Sequence, residues 1–347
     1  MVKNTVIAVD LAKNVFEIAI SKSPGKVCAR KRLSRNGFTL FLKQHEPAAV
    51  LLEACGSSHY WGRMARKAGH QAVLLPPHVV RPYVLRSKTD RTDAKGMLEA
   101  YRNEDIHAVP VKSVDQQALC ALHRLRSGWQ AQHTARVNGV RGLLREFGLT
   151  IPCGAHHVVR HVHTFLSEPD SSIPPLLHPA LLEACDEIKQ LKKRIDGVDR
   201  TLMEFVKANE IACRLMKIPG IGYLTATALV ALVGNVGRFR SGRSFANFLG
   251  LTPRESSTAF RRRLGRISHQ GNVYLRTLLI HGARSILAWS RREKNLDGLR
   301  VWALKIAAKR GFNKAVVAIA NKMARFVWVT WRHDRAFVPF VAVQSVG

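Results

Sequence analysis

Length, composition and charge narrow the classes to which this chain can belong. Its 347 residues, 46% of them hydrophobic, are enough for about two or three domains and argue against a disordered chain. The sequence carries 55 Lys and Arg against 24 Asp and Glu, a formal net charge of +31. Such an excess is typical of proteins that bind a polyanion, of which nucleic acid is the commonest.

Three further classes are disfavoured by simple patterns. A run of about 18 uncharged apolar residues is missing from the sequence, so we expect no transmembrane helix. The N-terminal stretch MVKNTVIAVDLAKN contains Asp10 within its apolar part and lacks a small-residue cleavage site, which favours a strand over a signal peptide. The six cysteines are scattered without a CxxC pair, so neither a zinc knuckle nor a disulfide framework is predicted, and a reducing cytoplasm fits.

The first 150 residues alternate between strand and helix signals. Predicted strands cover residues 5–9, 15–20, 27–33, 48–55 and 70–77, the first two as a hairpin, and predicted helices cover 36–46, 57–69, 90–103 and 114–147. Strands first, followed by alternating helices and strands, predict a mixed sheet flanked by helices.

The middle of the chain changes character twice. Residues 149–179 are rich in His, Pro and Ser and predict a linker or irregular insert. The segment HHVVRHVH (156–163) lacks a carboxylate or cysteine that would complete a metal site, which favours a solvated or phosphate-facing histidine cluster. From Leu181 to Phe205 apolar residues recur at alternating spacings of three and four, which indicates a coiled-coil seam. The seam fits either self-association or a helix packed on its own domain.

Residues 210–347 are predicted to be mainly helical and hold 24 of the basic residues against 5 acidic ones. They begin with a hairpin-like element at 212–234 and continue with basic helices at about 271–290, 296–309 and 312–330. The acidic residues are therefore concentrated in the first 209 positions, where they need a separate explanation.

Four carboxylates of the first part are candidate metal ligands. Asp10 and Glu53 end predicted buried strands, where an unpaired charge is costly. Asp90 and Asp93 begin a predicted helix, and their spacing places both on one face. Helix capping explains Asp90 and Asp93 equally well, but it does not explain the two strand-end acids.

The segment KIPGIGYLTATALVALVG (217–234) is a candidate phosphate-binding element. Pro-Gly-Ile-Gly makes a tight turn, and the backbone N–H groups at the start of the next helix suit a phosphate, as in a helix-hairpin-helix. Gly220, Gly222 and the hydroxyl of Thr225 are the predicted contacts, with Thr227 as a further hydroxyl. A plain turn between two helices remains the alternative.

A third signal combines hydroxyls with arginines. Ser256, Ser257 and Thr258 precede four arginines whose guanidinium groups could each bind phosphate through two N–H donors. These are Arg261, Arg262, Arg263 and Arg266. From residue chemistry alone, the hydroxyls either attack phosphorus after activation or merely help to bind it.

Taken together, these motifs resemble the DEDD insertion-sequence transposases related to the Piv pilin-gene invertase, which are bridge-RNA-guided recombinases. The resemblance rests on IAVDLAKNVF, LLEACGSSHYW, KTDRTDAKGM, PGIG and GLTPR…RLGRIS, and it covers nearly the whole chain. It implies an α/β plus all-α fold in three parts. These are a RuvC-like, RNase H-type mixed-sheet domain at 1–150, a linker and coiled-coil helix at 151–209, and a helical transposase domain with a helix-hairpin-helix and the catalytic serine at 210–347.

The resemblance also assigns roles to individual residues. It implies that Mg²⁺, with Mn²⁺ as a substitute, is held by Asp10, Glu53, Asp90 and Asp93, and that Ser257 is the nucleophile. The expected nucleic-acid contacts are Lys88, Arg91, Lys95, Gly220, Gly222, Thr225, Arg254, Arg261, Arg262, Arg263 and Arg266. The sequence departs from the family pattern where Ala259 and Phe260 replace two glycines and His269 replaces a lysine.

The implied activity is cleavage and rejoining of DNA through a phosphoserine intermediate. Expected partners are double-stranded donor and target DNA, a structured guide RNA encoded by the element, and further copies of the chain in a tetramer. The expected location is the nucleoid in a prokaryotic cytoplasm. Two other hypotheses stay open: a metal-dependent nuclease or junction resolvase that uses water, and an inactive nucleic-acid-binding relic.

Overall fold

A computed structural model of the chain describes residues 5–23, 26–84, 90–258, 261–293 and 296–339, without the side chains of residues 90 and 91. The contacts divide the chain into two compact units, residues 1–115 and 116–347. The predicted boundary falls later, at 150. The helix at 114–145 is grouped with the second unit because its residues Leu119 and Cys120 share a core with helices near the C-terminus.

The first unit is built on a five-stranded mixed sheet, as predicted. Its strands are β1 (Val6–Leu11), β2 (Val15–Ser23), β3 (Lys26–Ser34), β4 (Ala49–Glu53) and β5 (Gln71–Leu75), in the order β3-β2-β1-β4-β5. Strands β1, β2 and β3 are antiparallel neighbours, whereas β4 runs parallel to both β1 and β5. Strand β1 is therefore central, and its carboxyl end lies beside that of β4.

Helices cover both faces of this sheet. Within the described part of the unit they are α1 (Arg35–Gln44), α2 (Ser58–Lys67), the short α3 (Pro77–Val80) and α4 (Asp90–Tyr101). Ile7 and Val9 pack with Phe38 of α1 and Trp61 of α2, while Ala8 packs with α4 on the other face. Because consecutive strand residues point to opposite faces, β1 is apolar on both sides and places α4 against the sheet.

The second unit is almost entirely helical. Its long helices are α5 (Val114–Arg145), α6 (Ala155–Ser167), α7 (His178–Ala208), α11 (Val273–Ser290), α12 (Gly298–Arg310) and α13 (Phe312–Arg332), and its short ones are α8 (Glu210–Met216), α9 (Tyr223–Val233) and α10 (Gly242–Phe248). A two-stranded antiparallel ribbon, β6 (Pro253–Glu255) with β7 (Leu264–Ile267), interrupts the helices. The ribbon was not predicted, because its strands are short and exposed and show no apolar alternation.

The heptad seam of α7 is buried within a single chain. Leu181, Ile188, Leu191 and Ile195 are each 3% exposed. Helix α5 runs antiparallel to α7, since Arg126 pairs with Asp199 whereas Arg136 pairs with Glu187. The interpretation of the seam as a self-association face is therefore wrong. A heptad pattern shows that a face is apolar but does not say which helix covers it.

Helix α6 corrects the prediction of an irregular segment at 149–179. Val158 and Val162 lie one turn apart and are both fully buried against α5 and α7. The histidines of 156–163 lie on this helix, and the His157 ring contacts those of His156 and His161 in tilted and edge-to-face arrangements. In the described part of the chain, no three His, Cys, Asp or Glu side chains are grouped so as to hold a metal ion.

A polar network ties α5 to α9 and α11 inside the second unit. His123 lies with Nε2 3.0 Å from Thr227 Oγ1 and Nδ1 2.9 Å from the Tyr274 hydroxyl. The Thr227 hydroxyl donates to the Tyr223 carbonyl, so Nε2–H donates to Thr227 and Nδ1 accepts from Tyr274. Burial, followed by the positive charge of Arg126, lowers the pKa of His123 to about 4.

Among the described residues, no helix is long and apolar enough to cross a membrane.

Candidate active site and nucleic-acid interface

Asp10 and Glu53 lie next to each other near the carboxyl ends of two adjacent strands. Val9 pairs with Leu52 in the parallel β1–β4 ladder, so the next residue on each strand is one of the two acids. Both act on Cys55: desolvation, then the negative charges of Glu53 and Asp10, raise the pKa of its thiol. The structure thus brings together two acids that are 43 positions apart in the sequence.

Asp93 joins this edge of the sheet from α4. Glu53 and Asp93 line one cavity of about 710 Å³, together with His78 and Arg81. Asp93 is held there because the next residue of α4, Ala94, is fully buried against the sheet. The sequence analysis did not single out His78 and Arg81, which bring basic groups to the wall of an acidic cavity.

The structure describes only some of the other residues predicted for this region. Asp90 is the first residue of α4 and Arg91 the second, but both side chains lie outside the described residues. Lys88 also lies outside the described residues, and Lys95 is exposed on α4. Asp10, Glu53 and Asp93 are the type of ligand that a hard cation such as Mg²⁺ prefers, because that ion binds carboxylate oxygens. Among the described side chains, however, these three acids are not grouped closely enough to form a metal site. Glu53 and Asp93 do share one cavity.

In the second unit, Ser257 lies just beyond the end of strand β6, near the tip of the ribbon. It is exposed, as are its neighbours Ser256 and Thr258. Its Oγ donates a hydrogen bond to Glu255 Oε1 at 2.9 Å and accepts one from the Arg263 backbone N–H at 3.3 Å. Thr258 and Arg261 exchange backbone hydrogen bonds that bracket positions 259 and 260. The departures Ala259 and Phe260 lie outside the described residues.

Glu255 is a site residue that the sequence analysis missed. Its carboxylate also accepts from Arg262, with Nε 3.1 Å from Oε1 and Nη2 3.3 Å from Oε2. Hydrogen bonds from Arg262, and then from Ser257, lower the pKa of Glu255. The i,i+2 spacing of Glu255 and Ser257 is the signal that could have found it, because in an extended strand these two side chains share a face.

The base of the ribbon is locked by two glycines and a buried arginine. A Cβ on Gly250 would lie 2.1 Å from the Gln270 carbonyl oxygen, and one on Gly271 would lie 1.9 Å from that of Phe248. Both glycines have positive φ, +70° and +81°. Arg276, 8% exposed, donates to the Leu249 and Gln270 carbonyls from one nitrogen. The family glycines of GLTPR and RIS-x-x-G thus fix where the ribbon leaves the helical core.

Arg254 belongs partly to this framework. Its Nε and Nη2 donate to the Ser268 carbonyl at 3.3 and 3.2 Å, across the ribbon. The predicted phosphate-binding residues Arg261, Arg262 and Arg263 are exposed around the ribbon tip, and Arg266 lies on β7. They give the ribbon that carries Ser257 a positive charge, although Arg262 is paired with Glu255.

A groove of about 1380 Å³ lies beside the ribbon, walled by α12 and α13. Its basic side chains are Arg266, His269, Lys314, Lys322 and Arg325, and no carboxylate occurs among its described lining residues. Lys322 lies 4.2 Å above the Trp302 ring, a cation–π contact that keeps the lysine at the groove wall. Cations together with a half-buried aromatic ring are features of grooves that bind nucleic acid.

The PGIG segment forms the predicted turn between α8 and α9, but much of it faces inward. Gly220 packs so closely on α11 that a Cβ would lie 2.9 Å from the Gly282 carbonyl oxygen. Gly222 is exposed and precedes α9. Thr225 is only 5% exposed and Thr227 is fully buried, so their prediction as nucleic-acid contacts is wrong. Most residues of α9 are buried, on nearly every side of the helix. The short sequence that follows the turn does not reveal this burial.

The two units together have the features of an enzyme that acts on nucleic acid: acids grouped at one edge of a mixed sheet, and a basic helical unit. Residues 7–148 match the family model of the DEDD-type IS110 transposases, and residues 212–296 match the model described as "Transposase IS116/IS110/IS902 family". The chain belongs to this family of insertion-sequence transposases.

Individual relatives agree with the family assignment over nearly the full chain. A probable family 20 transposase of Pseudomonas aeruginosa is 38% identical over 335 residues, covering 96% of this chain and 98% of that protein. The transposase for insertion sequence element IS1111A of Coxiella burnetii is 36% identical, covering 93% and 88%. A pilin gene-inverting protein of Moraxella lacunata is more distant, at 23% identity over 96% and 97%. The resemblance inferred from the motifs is confirmed.

Proposed function

We propose that this transposase cleaves and rejoins DNA at the ends of its insertion sequence through a covalent bond to Ser257. The observation that carries the proposal is the exposure of that hydroxyl together with its hydrogen bonds. It is exposed near the tip of a basic ribbon, with Oγ held by Glu255 and by the Arg263 N–H. An exposed serine surrounded by arginines is accessible to a phosphodiester, which a buried serine would not be.

In the proposed reaction, Ser257 Oγ bonds to phosphorus while the bond from phosphorus to the 3′ oxygen breaks. The Oγ proton passes to water, and the released 3′ oxygen takes up a proton. Attack by a 3′-hydroxyl on the phosphoserine reverses the step and rejoins DNA. Arg261 and Arg263 are exposed beside the nucleophile, where they would offset negative charge that develops on the phosphate.

We further propose that Asp10, Glu53, Asp90 and Asp93 hold Mg²⁺, for which Mn²⁺ substitutes. When bound, such ions activate a nucleophile and stabilise charge on the attacking and leaving oxygens at phosphorus. The acids of this unit concentrate negative charge where a phosphate must approach. Lys95 on α4 and Arg81 in the cavity wall would balance that charge and hold the backbone of the nucleic acid.

The proposed partners are donor and target DNA and a structured guide RNA encoded by the element. Charge supports this proposal, since a surplus of 19 positive charges lies in residues 210–347, from 24 basic and 5 acidic residues. The groove beside the ribbon offers a path for a nucleic-acid backbone, and Lys88, Arg91, Arg254, Gly220 and Gly222 remain proposed contacts. Base pairing with the RNA would then select the DNA sequence, while the protein contacts the backbone.

We also propose that the active assembly is a homo-oligomer, a tetramer by family resemblance, associated with the bacterial nucleoid. Strand exchange requires several breaks at once, so more than one copy must act together. The seam of α7 does not supply the contact, since it is covered within one chain. The subunit contact must therefore use other surfaces.

The proposal is tested by covalent capture of DNA. Labelled donor and target DNA are incubated with wild-type protein, Mg²⁺ and RNA transcribed from the element, then denatured, and the protein is separated by mass. We expect a shifted adduct with wild type and none with Ser257→Ala. Ser256→Ala and Thr258→Ala serve as matched controls, because both hydroxyls are exposed neighbours. Adducts at wild-type levels from Ser257→Ala would refute the assignment.

The same experiment separates the two rival functions. A nuclease or resolvase that uses water would cut DNA without any adduct in wild type, yet would lose cutting with Asp93→Asn. An inactive nucleic-acid binder would show neither cutting nor adducts, and Asp93→Asn would leave its binding unchanged.

A further inference from the structure

Within the proposed serine chemistry, we propose that Glu255 is a positioning residue that fixes the orientation of the Ser257 hydroxyl. The inference rests on the proposed function, because positioning matters only if Ser257 is the nucleophile. It goes beyond that function in assigning a role to a carboxylate outside the four acids of the sheet unit.

The geometry of the hydroxyl carries the argument. Ser257 Oγ–H donates to Glu255 Oε1 at 2.9 Å, and one oxygen lone pair accepts from the Arg263 N–H at 3.3 Å. A hydroxyl has one proton and two lone pairs, so these contacts leave one lone pair unused. With the proton and one lone pair fixed, the remaining lone pair points in a defined direction and is available to phosphorus.

Glu255 is itself held in place by Arg262. The guanidinium contacts both carboxylate oxygens, with Nε on the same Oε1 that accepts from Ser257. A fork of two N–H groups fixes the plane of a carboxylate more firmly than a single donor does. Arg262 therefore orients the carboxylate of Glu255, and this carboxylate in turn orients the hydroxyl of Ser257.

The protonation state of Glu255 favours orientation over proton storage. Its carboxyl pKa is lowered, chiefly by the hydrogen bonds from Arg262 and then by the one from Ser257. A carboxylate that stays ionised is a good hydrogen-bond acceptor but a weak base. Glu255 thus directs the Oγ–H group without keeping its proton, and the proton still leaves to water as described above.

The competing explanation is that the Glu255–Arg262 pair merely joins the end of β6 to the segment that precedes β7. The pair is exposed, with side-chain exposures of 45% and 60%, and exposed ion pairs contribute little to stability. The two explanations differ for Glu255→Gln. An amide oxygen in the place of Oε1 keeps the contacts with Ser257 and Arg262 Nε, whereas the amide nitrogen loses the contact with Arg262 Nη2.

The test is single-turnover adduct formation at saturating DNA, with DNA affinity measured separately. We expect Glu255→Ala to lower the rate of adduct formation about ten- to a hundred-fold while the dissociation constant stays within about two-fold. Glu255→Gln should recover to within about three-fold of wild type, because it keeps the acceptor. Glu187→Gln is the matched control, since Glu187 also belongs to an exposed Arg–Glu pair of this unit, with Arg136, and should match wild type.

Each outcome supports or overturns the positioning role. Equal losses in Glu255→Ala and Glu255→Gln would assign the residue to the ion pair alone. A loss confined to DNA affinity would assign it to binding, and an unchanged rate would remove it from the reaction. In these three cases the wild-type Ser257 adduct still forms, so the proposed function stands. A wild type without a Ser257 adduct overturns both proposals.

Discussion

Replacing Gly271 by alanine should unfold the second unit at a lower temperature and release the base of the ribbon. The new Cβ would lie 1.9 Å from the Phe248 carbonyl oxygen, and this neighbour is backbone, which cannot rotate away. At φ +81° an alanine costs about 1–2 kcal/mol more than glycine, and overpacking a fixed site adds about 1–3 kcal/mol. The expected loss in free energy of unfolding is about 2–5 kcal/mol.

Thermal unfolding followed by circular dichroism measures this loss. For a unit of this size, each kcal/mol lowers the midpoint by about 2–4 °C, so we expect a fall of roughly 4–20 °C. Gly139→Ala is the matched control. Gly139 lies in α5 with nothing within 4 Å of its added Cβ, so alanine there should raise stability by about 0.5–1 kcal/mol. A Gly271→Ala midpoint equal to that of wild type, with Gly139→Ala behaving as expected, would refute the steric reasoning.

Three further predictions follow from the second unit. His123 has a pKa of about 4 when folded and about 6.5 when unfolded. Its contribution is therefore complete above pH 6.5 and is lost as pH falls toward 4, and urea titrations should show a fall of up to about 3 kcal/mol that His123→Gln flattens. Ile195→Ala, at a site 3% exposed, should cost about 2–5 kcal/mol while light scattering shows an unchanged mass. Dissociation of an oligomer without loss of stability would contradict the intrachain packing of α7. Lys314→Ala should reduce the slope of log affinity for DNA against log salt by about one, whereas Lys192→Ala, exposed and paired with Asp196, should leave it unchanged.

Local patterns predicted the sheet unit well. Strand and helix periodicity depends on neighbours in the sequence, and the mixed sheet with its flanking helices is confirmed. The grouping of Glu53 with Asp93 could also be predicted, since the sequence indicates both the end of a strand and the start of a helix. In the structure the two residues line one cavity. The family resemblance, which rested on motifs that include Gly250 and Gly271 at the base of the ribbon, was confirmed by the family models and the relatives.

Predictions failed where the answer depended on residues distant in the sequence. The stripe on α7 was recognised as apolar, but its cover, α5, begins more than 60 positions earlier. Thr225 was assigned to a surface because it follows a turn, although helices α7, α8 and α11 enclose α9. Glu255 was overlooked because its two hydrogen-bond partners lie near the tip of a ribbon that was not predicted. In each case the sequence specified a side chain but not its surroundings.

The ribbon also sets a distance. The ribbon is fixed at its base, where Gly250 and Gly271 pack closely against backbone carbonyl oxygens. Ser257 lies toward the other end of the ribbon, about 13 Å along an extended strand from Pro253. One residue added to each strand would turn the hydroxyl to the opposite face, whereas two would restore the face and carry the hydroxyl about 7 Å farther. The number of residues between the glycines and the serine is therefore under its own constraint, separate from the identity of the side chains that fill it.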